Sequence, residues 1–259
     1  MQRTEPYGFI QPEKAGQIVK MQKGQNISGY PIGILYIEDV WYPMLPGNVV
    51  NGYTFPFPVR LKAVHGLTVQ KLFTMDSSVK AGVLEAVKEL EQEGVRAISS
   101  ACGFFGNYQT AAAAASEVPV ALSSLLQVPW ILSTMRPNQK IGVLTADASS
   151  ITPYLLEQCG IDSPERLVIR DLRHAEEFSC ILEGRGTFDN LKVMKEVVRE
   201  AQIALQTAPE IGAILLECSD MPPYAYAVAA AVKKPVFDFT TLIRWLYHAV
   251  AQVPYSGFI

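Results

Sequence analysis

The chain is poor in the residues that usually announce chemistry. It has 4 cysteines and 3 histidines among 259 residues. Four cysteines are too few for a disulfide framework in a chain this long, and a reducing compartment would keep them as thiols. His65, His174 and His248 stand far apart without metal-ligand spacing, so no metal site is expected. A phosphate loop, a GxGxxG turn and a GxSxG elbow are all missing. Charge of one sign is scarce too. The net charge is −3 and no basic stripe stands out, which argues against a nucleic-acid partner. The longest apolar run, Tyr224 to Val232, is far short of the roughly 20 residues a span needs, so no membrane partner is expected. The polar start, Met1 to Pro6, lacks the apolar stretch of a signal peptide, and a cytoplasmic location is the expectation.

What is present points to an ordinary globular protein. Hydrophobic residues make up 49% and charged residues 18%, enough to build a sizeable core. Short apolar runs alternate with helix-spaced segments. Ile32–Ile37, Val59–Val64, Val95–Ala101, Val118–Leu122, Lys140–Thr145, Leu167–Asp171, Ala213–Leu216 and Val236–Phe239 read as strands. Val79–Glu93, Asn107–Ser116, Leu125–Leu132, Thr152–Cys159, Leu191–Leu205, Pro223–Val232 and Leu242–Val250 read as helices. That alternation predicts parallel βαβ units. Residues 1–30 read as a polar arm, and the proline- and glycine-rich stretch 42–58 as a long loop of the kind that often carries function.

The layout repeats. Ile32-Gly33-Ile34-Leu35 opens one copy and Ile141-Gly142-Val143-Leu144 the other. Cys102 and Cys218 each end a buried-looking strand, and each lies 17 residues before a proline, Pro119 and Pro235. Ligands of doubly wound sheets sit outside the carboxyl ends of the strands. Two such halves facing each other present two thiols to one gap, an arrangement suited to proton transfer. Gly103 and Gly106 leave backbone N–H groups free at the helix start after Cys102, which is expected to favour its thiolate. Ser219 or Asp220 is placed to cap the helix that follows Cys218. Cys159 and Cys180 have no repeat partner and read as structural.

The paired cysteines, the duplication and the length resemble the aspartate/glutamate racemase superfamily, which also holds hydantoin racemases, maleate isomerases and arylmalonate decarboxylases. The resemblance covers roughly residues 32–250. Glutamate racemases have Asn-Thr after the first cysteine, where this chain has Gly103-Phe104, and Thr-His after the second, where it has Ser219-Asp220. The Cys-Ser-Asp-Met order is nearer the hydantoin-racemase branch. The resemblance implies an α/β fold of two pseudo-symmetric, doubly wound parallel-sheet domains with the site in the cleft between them. The division is residues 1–134 and 135–239, with the C-terminal helix 240–259 packing back on the first domain. It also implies that no cofactor is needed. One cysteine removes the Cα proton as thiolate and the other returns one from its thiol.

The same resemblance places substrate-binding groups. Glu38 or Asp39 fills the acidic position after the first strand. Thr145 and Ser149 belong to a hydroxyl-rich segment that suits a carboxylate, or serves as a plain helix cap. Asn107 is a candidate hydrogen-bond donor, or a cap of its own helix. Gly103, Phe104, Ser219 and Asp220 flank the cysteines, and Phe104 suits a bulkier substrate. The expected enzyme is an isomerase: a racemase or epimerase of an amino acid or derivative, acting on a small carboxylate or hydantoin-like substrate. A decarboxylase or cis–trans isomerase of the same superfamily is the alternative, and a non-catalytic two-lobed binding protein the third reading. Self-association is left open.

Overall fold

In the computed structural model the described residues are 25–259, without 39, 42, 75, 76, 254 and 256. Most of the N-terminal arm and Asp39, a candidate site residue, lie outside them. The chain forms two parallel sheets. The first contains β1 (Ile32–Ile37), β2 (Val59–Val64) and β3 (Ala97–Ser100) in the order β2-β1-β3. The second contains β4 (Lys140–Thr145), β5 (Leu167–Asp171), β6 (Ile211–Leu216) and β7 (Val236–Phe237) in the order β5-β4-β6-β7. The first three strands of each copy thus pair in the same order, as the repeated layout requires.

The nine helices among the described residues are α1 (Val69–Phe73), α2 (Ser77–Gln92), α3 (Gln109–Ala114), α4 (Val128–Ser133), α5 (Pro153–Gln158), α6 (Ser179–Glu183), α7 (Asn190–Thr207), α8 (Ala225–Val232) and α9 (Phe239–Val250). None is long and apolar enough to cross a membrane.

The Ile-Gly openings of β1 and β4 have a packing reason. A Cβ at Gly33 would lie 2.8 Å from Leu90 Cδ1 of α2, and one at Gly142 would lie 2.8 Å from Ile214 Cδ1 of β6. Only glycine lets these neighbours approach so closely.

The expected strand Val118–Leu122 is not formed. It contributes a single parallel bridge, Val120 to Ile98. Pro119 and Ala121 bond to Ile98, while Gln109 takes the next polar groups: its Nε2 donates to the Val120 carbonyl at 2.8 Å, and its Oε1 accepts from Leu122 N at 2.8 Å. The corresponding segment of the second copy pairs with β6 at two positions and forms a short strand, β7.

One apolar cluster runs from the helices of the first sheet, through Phe104, Leu125 and Val128, to Ile141, Val143 and Leu215 of the second. A second cluster packs α7 and α8 on the second sheet. The other face of the first sheet is covered by α9, whose Phe239, Leu242, Ile243, Leu246 and Val250 join Ile32, Ile34 and Ala97. Each such burial is worth about 1.5–3 kcal/mol. Asp238 and Thr241 form a capping box at the start of α9. Gln127, just before α4, clamps that box by donating to the Asp238 carbonyl at 2.9 Å and accepting from Thr241 Oγ1 at 2.7 Å.

Candidate active site

Strands β3 and β6 both end at the same edge of their sheets, and each is followed two residues later by a cysteine. Cys102 has extended backbone and precedes a 3-10 turn, Gly103–Tyr108. Cys218 precedes the turn that leads into α8. Both line one cleft, together with Gly103, Phe104, Glu217, Ser219 and Asp220. Trp41, Phe73, Val69, Ile181 and Leu182 form much of the rest of the wall. None of the described residues that line it is Lys, Arg or His.

The floor joins the two halves through polar bonds. Ser219 Oγ donates to the Ala101 carbonyl at 2.8 Å, and Ser124 Oγ donates to the Glu217 carbonyl at 3.1 Å. The carboxyl group of Glu217 leans over the backbone of the opposite half. A Cβ on Gly103 would lie 1.6 Å from Glu217 Oε1, so glycine is the residue this approach permits. Thr145 Oγ1 donates to Glu217 Oε2 at 2.7 Å.

Asp220 is the second buried acid. Its Oδ2 accepts from the Cys218 thiol at 3.7 Å, and its Oδ1 accepts from Asn48 Nδ2 at 2.6 Å. Asn48 is fully buried, and its amide also donates to the Pro43 carbonyl at 3.2 Å. Its Oδ1 accepts from Val50 N at 3.1 Å. The loop 42–58 therefore supplies the support of Asp220.

Burial dominates the electrostatics. It pushes Asp220 up to about 6, against the Asn48 and Cys218 hydrogen bonds that pull it down. It pushes Glu217 up to about 7, against the Thr145 bond. Both site thiols are raised as well. Burial comes first for each, followed by Glu217 for Cys102 and by Asp220 for Cys218. The expected lowering of Cys102 by its helix start is therefore overturned. The Phe104 N–H does pull it down, but burial and the Glu217 charge outweigh that bond. Cys159 and Cys180 are buried in apolar clusters, and burial pushes Cys159 up to about 12.

The remaining candidate residues are placed elsewhere or occupied. Glu38 accepts from Gly66 N at 2.9 Å and pairs with His65 Nδ1 at 3.0 Å on an exposed loop. Asn107 donates to the Phe104 carbonyl at 3.0 Å. Ser149 Oγ donates to Asp147 Oδ1 at 2.6 Å, and Asp147 is also paired with Arg173. Thr145 reaches the site only through Glu217. Asn48, Glu217 and Trp41 were not among the sequence candidates. The one signal for Glu217 was an acid at the end of the apolar run Ile214-Leu215-Leu216.

Replacing Asn48 with alanine is expected to leave a buried carboxylate oxygen of Asp220 unpaired. The expected cost is about 1–3 kcal/mol, read as a lower urea midpoint with an unchanged slope. The same change should raise the Asp220 pKa above its present value of about 6.

No protein-family model matches the chain. It is 33% identical over 239 residues to dimethylsulfoniopropionate lyase 7 of Emiliania huxleyi (strain CCMP1516), covering 88% of this chain and 70% of that protein. It is 32% identical over 223 residues to a dimethylsulfoniopropionate lyase of Durusdinium sp. clade D, covering 83% of this chain and 73% of that one. Among solved structures, allantoin racemase from Pseudomonas fluorescens has a TM-score of 0.58 at 13% identity, covering 87% of this chain and 99% of that one. Unliganded arylmalonate decarboxylase has a TM-score of 0.55 at 16% identity, covering 87% and 94%. These structural likenesses establish the fold of the aspartate/glutamate racemase superfamily. The expected isomerase, a racemase or epimerase of amino acids, is overturned by the sequence relatives, which are lyases. The reason for the miss is that thiols at matching strand ends do not by themselves distinguish a lyase from an isomerase.

Proposed function

Since the chain belongs to the dimethylsulfoniopropionate lyase family, we propose that it cleaves dimethylsulfoniopropionate by β-elimination, with Cys218 as the base. The substrate carries a sulfonium on the carbon next to the one that is deprotonated. The Cys218 thiolate takes the Cα proton, and the electrons of that C–H bond become the second bond between Cα and Cβ. The Cβ–sulfur bond breaks, and its electron pair leaves with the sulfur as neutral dimethyl sulfide. Acrylate remains, and the proton stays on the thiol.

The observation that carries this reading is the cleft's composition: two thiols and two buried acids among aromatic and aliphatic side chains, with no cationic side chain among the described residues. Such a wall suits a cation, through the aromatic side chains of Trp41, Phe73 and Phe104 and through negative charge nearby. The Cys218–Asp220 pair shares one negative charge, whichever of the two bears the proton. Burial and the neighbouring acids disfavour a thiolate in the empty cleft. A bound sulfonium reverses that balance, because its positive charge sits beside the sulfur that must ionise. The substrate thus helps to generate its own base. Ile181, Leu182 and Val69 offer an apolar path for an uncharged thioether to leave. Asn48 acts by holding Asp220.

The test is headspace measurement of dimethyl sulfide from purified protein and dimethylsulfoniopropionate, with acrylate followed in parallel. Equimolar release of both is expected. Absence of both, with Cα–deuterium exchange into amino acids or hydantoins instead, would falsify the reading.

A further inference from the structure

One buried polar atom has no task in the elimination so far described: Oε1 of Glu217. The side chain is 1% exposed, lines the cleft, and lies against Gly103 directly after Cys102. Its Oε1 makes no hydrogen bond. A buried oxygen left so is costly unless something pairs with it. The neighbouring hydroxyl decides where a proton on this carboxyl would sit. Thr145 Oγ1 accepts from Asp147 N at 3.3 Å, so its own hydrogen is directed to Glu217 Oε2. Oε2 is therefore an acceptor, and Oε1 is the atom left to carry a proton.

The elimination creates a need at this place. As the Cα proton leaves, negative charge moves onto the substrate carboxylate, and among the described residues no Lys, Arg or His lines the cleft to meet it. We propose that Glu217 is a catalytic residue which, as the neutral acid, donates a hydrogen bond from Oε1 to the substrate carboxylate and so stabilises the charge that develops there. This assignment rests on the lyase reading. A neutral carboxylic acid used in this way adds no repulsion to the substrate anion, and in a dry cleft its donor is far more effective than in water.

The ionisable groups that face Glu217 are Asp147 after β4, Cys102 after β3, Cys159 at the end of α5 and Cys218 after β6. The Asp147 charge favours the neutral form of Glu217, and among the described residues no cation opposes it. Burial pushes Glu217 up to about 7. The donor is present below that pH and is lost as the pH rises through it.

Two measurements test the proposal. Sodium acrylate binding, followed by calorimetry, should weaken severalfold in the wild type as the pH rises through about 7. Glu217→Gln keeps a neutral donor of the same shape and should bind acrylate without that dependence. In turnover, Glu217→Gln should lose the falling alkaline limb and retain activity within about tenfold, while Glu217→Leu should fall by about 10²–10³-fold, the cost of losing one such donor. Asp220 titrates lower, near 6, and remains in both proteins, so the difference between profiles isolates Glu217. The infrared band of a protonated carboxyl, recorded without ligand, should be present in the wild type and absent from Glu217→Gln. A Gln variant as inactive as the Leu variant, with its fold intact by near-ultraviolet circular dichroism, overturns the proposal, and so does a missing infrared band. If the wild type releases no dimethyl sulfide, the lyase reading fails, while acrylate binding and the infrared band still decide the role of Glu217.

Discussion

Cys218→Ala is expected to lower dimethyl sulfide release by about 10²–10⁴-fold, the usual contribution of a positioned general base. Cys102→Ala is expected to cost far less, about tenfold. The asymmetry follows from the reaction. Elimination removes one proton and returns none to carbon, so one base is sufficient. The two sulfurs also differ in their surroundings. Cys218 has a carboxylate acceptor for its proton, Asp220 Oδ2 at 3.7 Å, and that acceptor is itself held by Asn48. Cys102 faces the N–H of Phe104, and burial is the main force that opposes its ionisation. The measurement is kcat for both variants under saturating substrate, with Asp220→Asn as a third. Asp220→Asn should resemble Cys218→Ala in direction, because the thiol proton then has no acceptor. Equal losses in the two cysteine variants would contradict the assignment of a single base.

Gly103→Ala is expected to be the most damaging change of a single methyl group. The added Cβ would lie 1.6 Å from Glu217 Oε1 and 2.5 Å from its Cδ. Neither group can yield cheaply. The glycine belongs to a buried turn, and the carboxyl is pinned by Thr145 and by the strand that carries it. The expected destabilisation is about 1–3 kcal/mol, typical of overpacking. Activity should fall by about 10²-fold, because a shift of about 1 Å in positioning groups is enough for that. The double variant Gly103→Ala with Glu217→Ala separates the two effects. It should regain stability relative to Gly103→Ala, since the clash is gone, yet remain poorly active. Additive stability losses in that cycle would show that the two residues do not meet.

Several elements were legible from residues alone, for reasons the fold makes plain. Parallel strands that open with Ile-Gly must accept a close neighbour, and both copies do. Strands of parallel sheets end on a common edge, so two cysteines at matching strand ends were readable as neighbours of one cleft. Local signals failed where distant groups intervened. Val118–Leu122 has strand composition, but it meets β3 in a single bridge at Ile98, while Gln109 takes the Val120 carbonyl and the Leu122 N–H. Thr145 and Ser149 have the makeup of an anion site, but their hydroxyls are committed to Glu217 and Asp147. Asn48 could not be paired with Asp220 from sequence, because 172 residues separate them. The racemase expectation failed for a chemical reason. Thiols at strand ends do not distinguish isomerase from lyase; in the elimination proposed above, the outcome is set by the group on the adjacent carbon of the substrate.

The placement of α9 makes the two copies unequal despite their shared layout. This helix follows the last strand of the second sheet, yet its apolar side roofs the first. A protein cut ahead of Phe239 would keep every strand and both thiols, but would leave Ile32, Ile34 and Ala97 bare to water. The amino-terminal half therefore cannot be lifted out as an autonomous module; its completion waits on a helix that lies beyond the whole second sheet in the chain.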